Sequence, residues 1–111
     1  MMKYNMKLDT EPFNQMKNGL KKIEYRLYDE KRKKLKIGDI IEFQKLPTLN
    51  ERIKVEIIDL KTFKSFHDMF MEYSDINKDI DESVNSMYKY YSPKDEQKYG
   101  CIAISLNIIG K

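Results

Sequence analysis

The sequence has 111 residues, 41% hydrophobic and 35% charged, which suits one modest core under a heavily solvated surface. Four Gly and three Pro exclude a low-complexity chain, and no apolar run nears the ~20 residues of a bilayer span. One cysteine, Cys101, and one histidine, His67, exclude an internal disulfide and a Cys/His zinc site, so no metal or cofactor is expected. The polar start, Met1 to Met6, lacks the apolar stretch of a secretory signal. A single domain over residues 1–111, located in the cytoplasm, is expected.

The net charge of +3 names no partner, but its distribution is uneven. From Lys17 to Lys36 there are nine basic residues against Glu24, Asp29 and Glu30. From Asp68 to Lys98 eight acids face four lysines. A basic first third beside an acidic second half fits a solvated lysine-rich turn or a polyanion-binding face.

In chain order, Tyr4, Met6 and Leu8 alternate with polar residues and predict a half-buried strand. Asp9 and Thr10 offer N-caps to a two-turn helix carrying Phe13 and Met16, and Gly19 stops it. Lys21 to Tyr28 alternates again, with Ile23, Tyr25 and Leu27 on one face and Lys22, Glu24, Arg26 and Tyr28 on the other. A charged turn leads through Gly38-Asp39 to a strand at Ile40–Phe43, and Ile53, Val55 and Ile57 mark the next. The period then changes. Phe63, Phe66, His67, Phe70 and Tyr73 predict a helix capped by Ser65 and Asp68. Asp79 to Tyr91 predicts a second, and Ser92-Pro93 opens a third that Gly100 ends. Cys101 to Ile109 closes the chain as a strand covered on both faces. The sum is α+β: a curved, mostly antiparallel sheet of five or six strands closing toward a barrel, with short helices beside it. Ile23, Tyr25, Ile41, Phe43, Val55, Ile57, Ile102 and Ile104 are the expected core.

The segment that carries chemistry is Gly19-Leu20-Lys21-Lys22-Ile23-Glu24-Tyr25-Arg26. Glu24 and Arg26, at i and i+2 of a strand, leave the same face. A carboxylate beside a guanidinium is held in place, and the cation can meet an anion or a base edge. Strict alternation puts Lys21 on the opposite face unless the strand twists or bulges at its start. An exposed ion network on a hairpin is the alternative reading.

The pattern G-x-K-x-x-E-x-R, here Gly19, Lys21, Glu24 and Arg26, resembles the hallmark of the ASCH domain, the activating-signal-cointegrator homology domain. The Leu35–Phe43 stretch resembles its Gly-Asp strand, and Phe63 to Phe70 resembles its aromatic helix. Tyr90-Tyr91-Ser92-Pro93, Tyr99-Gly100 and the last strand resemble the C-terminus usual in small bacterial members. The resemblance covers roughly Lys7 to Ile109. It implies a β-barrel related to the PUA fold and RNA binding, with Lys21, Lys22, Glu24, Arg26 and Tyr28 as RNA- or ligand-binding residues. It also implies an alternative, an amidohydrolase acting on N4-acetylcytidine or a related modified nucleoside, with Lys21 and Glu24 as catalytic residues. That branch has a threonine where this chain has Glu24, so its usual nucleophile is missing. Its glutamate falls near Asp79 or Asp81. Another branch of the family is described as a ribonuclease, and a purely protein-binding domain is the remaining reading.

His67, on the apolar face of its predicted helix, reads as a packed or capping histidine rather than a general base, and Cys101 reads as core. Tyr88, Tyr90 and Tyr91 offer either a base-stacking platform or a core residue, Tyr91, with two partly exposed neighbours. The expected partner is RNA or a nucleotide or nucleoside, with no membrane.

Overall fold

Alternation in the first residues makes β1 (Lys3–Leu8), which buries Met6 and Leu8. The computed structural model describes residues 1–73 and 79–110, so Asp75 and Lys78 of the acidic stretch lie outside the described residues. Helix α1 (Thr10–Lys17) follows and buries Phe13 and Met16. Asp9 takes the N-cap position without a side-chain cap bond, and the Thr10 hydroxyl donates instead to the Leu46 carbonyl at 2.9 Å. Next come β2 (Ile23–Leu27), a 3-10 turn at Arg32–Lys34, β3 (Ile40–Lys45) and β4 (Arg52–Phe63). Helices α2 (Phe66–Glu72), α3 (Ile80–Met87) and α4 (Pro93–Tyr99) then lead to β5 (Cys101–Gly110).

The fold is α+β, a curled half-barrel sheet in the order β1-β3-β4-β5-β2 with four α-helices among the described residues. β1 pairs parallel with β3, Lys3 opposite Ile40 and Leu8 opposite Lys45. β3 pairs antiparallel with β4, Ile40 opposite Glu56. The Leu106 N–H donates to the Lys22 carbonyl and the Tyr28 N–H to the Gly100 carbonyl. Partner numbers that fall as the chain advances make β2 and β5 antiparallel too.

The chain divides into two compact parts. The first comprises Met1–Glu24, Leu35–Leu60 and Ile104–Lys111. Its core holds Phe13, Met16, Ile41, Phe43, Val55 and Ile57, each at most 1% exposed. Asp39, buried in this part, accepts from the Met2 N–H and the Lys36 N–H, both at 3.0 Å. Its carboxylate ties β1's start to the turn before β3. The second part comprises Tyr25–Lys34 and Lys61–Ala103. Its core is aromatic. Phe70 meets the Tyr25 ring edge-on at 4.8 Å, and Phe66 lies 5.6 Å from Tyr88 and 6.1 Å from Tyr91.

The local caps follow the sequence reading. Ser65 accepts from the Asp68 N–H, Asp79 from the Glu82 N–H and Ser92 from the Asp95 N–H, with Pro93 opening α4. Gly100 ends α4 at φ +72°, where a Cβ would stand 2.6 Å from the Phe63 carbonyl oxygen. No side chain fits there.

Several expectations need correction. β4 runs to Phe63, so that residue belongs to a strand and α2 starts at Phe66. His67 points to solvent, because Phe66, Met69 and Phe70 alone occupy the inward stripe. Ile23 and Tyr25 are half-buried rather than core. In β2 the buried residues are Glu24 and Leu27, an odd spacing that period two does not allow on one face. Partial cover on both faces of this last strand in the order accounts for it. Ile41, Phe43, Val55, Ile57, Ile102 and Ile104 are buried as expected.

Candidate functional site

Helix α1 ends through Asn18 and Gly19, the latter at φ +78°. There the Gly19 N–H donates to Met16, and the Leu20 and Lys21 N–H groups both donate to Gln15. The last carbonyls of the helix are satisfied by a left-handed stop. A Cβ at Gly19 would meet nothing within 4 Å, so glycine serves the backbone angle and not close packing.

This reversal delivers Lys21 two residues before β2 begins, where no ladder fixes its direction. Its ammonium lies 3.3 Å from Glu24 Oε1 and donates to the Ile23 carbonyl at 2.7 Å. The side chains are 16% and 7% exposed, so this ion pair is shielded from water. The exposed hairpin network is therefore not what Lys21 and Glu24 form. The pair holds a positive donor and an acceptor side by side, 3.3 Å apart.

Arg26 stands two residues beyond Glu24 in β2, on the same side of that strand by its pleat, and is half-buried. Tyr28 follows the strand, half-buried, with the Lys33 ammonium 5.9 Å from its ring centre. Lys22 is exposed, and its carbonyl holds β5. Lys31, Lys33 and Lys34 are exposed on and beside the 3-10 turn, and Arg32 pairs with Asp29 at 2.9 Å.

The other candidates have structural roles. Asp79 is spent as the cap of α3, and Asp81 is exposed in its first turn. Tyr88 donates to Glu96 Oε1 at 2.5 Å, Tyr91 is half-buried and packs on Phe66, and the exposed Tyr90 ring meets Tyr91 at 6.5 Å and 58°, so the three rings do not lie parallel as one platform. The hydrogen bond to Glu96, then burial, pushes the Tyr88 hydroxyl up to about 12. Cys101 is buried as expected, and burial pushes its thiol up to about 12. That disfavours the thiolate a nucleophile needs. Among the described residues no group of three His, Cys, Asp or Glu side chains is placed to hold a metal ion.

Three buried carboxylates were not singled out by the sequence. Asp39 is the backbone staple of the first part. Glu42 lies between Lys3 at 3.0 Å and Arg52 at 3.1 Å, and the bond from Lys3, helped by Arg52, holds its carboxyl below the usual range against the effect of burial. Glu96 accepts from the Phe66 N–H at 2.7 Å as well as from Tyr88. Each sits in a run of mixed polarity, and its farthest partner lies 30 to 39 residues away. The only local hint was the Gly38-Asp39 turn.

A profile of the ASCH domain matches residues 6–110. The chain belongs to the ASCH domain family. Two solved structures resemble this ASCH domain throughout. One is the crystal structure of hypothetical protein PH0355, with a TM-score of 0.86 and 37% identity over 97% of this chain and all of the other. The second is the solution structure of protein PF0455 from Pyrococcus furiosus, with a TM-score of 0.77 and 32% identity over 97% and 98% of the two chains. A search of curated proteins finds no match. No helix among the described residues of the ASCH domain is long and apolar enough to cross a membrane.

Proposed function

We propose that the chain is one ASCH-like domain over residues 1–111 that binds RNA or a nucleotide, in the cytoplasm. Lys21, Lys22, Glu24, Arg26 and Tyr28 are the contacting residues. The observation that carries the reading is the shielded Lys21–Glu24 pair. A surface ion pair contributes about 0 to 1 kcal/mol and has little reason to be sheltered. A preset donor and acceptor, by contrast, suit the hydrogen-bonding edge of an unpaired base. Arg26 adds a second cation to β2, and Tyr28 a ring for stacking. The basic run around the motif supplies phosphate attraction.

Lys21 is also the lysine of the amidohydrolase branch, which keeps a second reading in view. The Lys21 ammonium is engaged with the Ile23 carbonyl and Glu24, an arrangement suited to holding a ligand. Glu24 offers no hydroxyl for an acyl intermediate.

The test is a titration of labelled single-stranded RNA and of cytidine nucleotides, beside an N4-acetylcytidine turnover assay. Binding that weakens in Lys21→Ala and Arg26→Ala, without turnover, supports the proposal. Deacetylation that vanishes in Lys21→Ala establishes the enzyme instead. Neither binding nor turnover leaves a protein partner as the reading.

A further inference from the structure

In the second compact part, an open groove of about 560 Å³ lies between the residue after β2, the end of β4 and the last turn of α4. Its walls include Tyr28, Phe63, Lys64, Lys98 and Tyr99. The other lining residues are Thr62, Gln97 and Gly100, so none of the eight is acidic. All three aromatic rings belong to half-buried residues. A lysine ammonium stands near each: Lys33 at 5.9 Å from Tyr28, Lys61 at 5.7 Å from Phe63 and Lys98 at 5.0 Å from Tyr99.

We infer that this groove binds a single-stranded RNA segment, with bases against Tyr28 and Tyr99 and phosphates near Lys64 and Lys98. The inference rests on reading the chain as an RNA-binding module, and extends the contact surface beyond Tyr28 to the ends of β4 and α4, which the proposed site does not include. Charge selects a polyanion. Lys33 and Lys61 have carboxylate partners in Glu30 and Glu72, whereas Lys64 and Lys98 form no ion pair among the described residues. The rings narrow the choice further. An acidic peptide satisfies the lysines but leaves the ring faces unused. A duplex hides its base faces. A single strand offers alternating flat bases and phosphates, which matches rings alternating with ammonium groups. Exposed lysine–ring contacts are weak and flexible, so a base that stacks on the ring displaces an ammonium toward a phosphate. Gln97 and Thr62 add neutral donors and acceptors at the wall.

The experiment uses the full chain with a labelled decauridylate, a cytidine monophosphate titration beside it, and variants away from the motif. Tyr99→Leu should weaken decauridylate about tenfold, while Tyr99→Phe stays near wild type. Lys64→Gln with Lys98→Gln should lower the slope of log K against log salt by about 1.4. Nucleotide binding should be unchanged in all of them. Photocrosslinking of 5-iodouridine oligonucleotides to the wild-type chain should mark Tyr99, which decides the matter even if Tyr99→Leu does not fold. Wild-type affinity in every variant with crosslinks elsewhere overturns the inference. So does a wild-type chain that binds no decauridylate, or a polyglutamate that competes fully while Tyr99→Leu has no effect. Loss of nucleotide binding only in Lys21→Ala, with Tyr99→Leu inert, keeps the motif reading and discards the groove. The reverse pattern keeps the groove and discards the motif.

Discussion

The Lys21 ammonium and the Glu24 carboxylate meet at 3.3 Å across three residues of chain, both largely out of water. Neither is placed by strand alternation alone. The left-handed turn at Gly19 frees Lys21 from the pleat and returns it to Glu24. Removing one partner of a sheltered pair leaves the other charge without its counterion, at a cost of about 3 kcal/mol. Glu24→Ala should therefore lower the unfolding free energy by that order in urea titrations. A loss under about 1 kcal/mol is the outcome of an ordinary surface pair.

Glu96 joins three segments by accepting from the first amide of α2 and from the Tyr88 hydroxyl. Glu96→Ala strands both donors and should cost about 3 kcal/mol, with Tyr88→Phe costing about 1 kcal/mol. Circular dichroism melts of the two variants would show the ranking. Equal, small losses would mean that water replaces the carboxylate.

The Tyr88 hydroxyl titrates near 12 in the folded chain against an ordinary value of 10, so folding favours its protonated form. That contribution is complete below pH 10 and is lost as pH rises toward 12. Cys101 acts in the same direction from its ordinary value of 9. Stability should fall between pH 9 and 12, less steeply in Tyr88→Phe and less again with Cys101→Ala added. Glu42 has the opposite sign. Its carboxyl is held low by Lys3 and Arg52, so its contribution is present above the unfolded value of 4.5 and lost on acidification. Denaturation midpoints of wild type and Glu42→Gln should converge in acid, and parallel curves would remove Glu42 from the account.

Two glycines with positive φ should respond differently to alanine. At Gly19 the Cβ meets empty space and only the backbone angle resists, about 1 kcal/mol. At Gly100 the same resistance adds to a 2.6 Å approach to the backbone oxygen of Phe63. Gly100→Ala should cost more than about 2 kcal/mol. Thermal melts of the pair that gave equal losses would contradict the packing described.

Replacing Lys31, Lys33 and Lys34 together should flatten the salt dependence of single-stranded RNA binding. Three phosphate contacts correspond to a slope change of about 2. Arg26→Ala should change selectivity among nucleotides more than it changes that slope. Anisotropy titrations at several salt concentrations separate the two effects.

What was legible in the sequence was local. Ser65, Asp79 and Ser92 cap helices three residues on, so neighbouring letters reveal them. The period-two runs at Met6–Leu8 and Val55–Ile57 gave strands for the same reason. Long-range pairings were not legible. Asp39 reaches Met2 across 37 residues, and Glu96 reaches Phe66 across 30. Nothing near either residue marks its partner. His67 sat at helical spacing with four aromatics, yet three nearer-fitting residues filled the inward stripe. Glu24 was found as a candidate, but its burial beside Lys21 depends on a chain reversal that spacing does not encode. Within the motif, alternation failed for Ile23 and Tyr25, which are half-buried rather than core because cover on both faces of β2 overrides it.

The central claim is that the residues around the Lys21–Glu24 pair contact RNA or a nucleotide. Amide-resolved NMR titration of the full chain with cytidine monophosphate and a short single-stranded RNA tests it most directly. The account predicts saturable shifts at Lys21, Lys22, Glu24, Arg26 and Tyr28, abolished by Lys21→Ala in a chain that stays folded. Saturable binding that leaves these amides unmoved, or no binding at millimolar ligand, would contradict it.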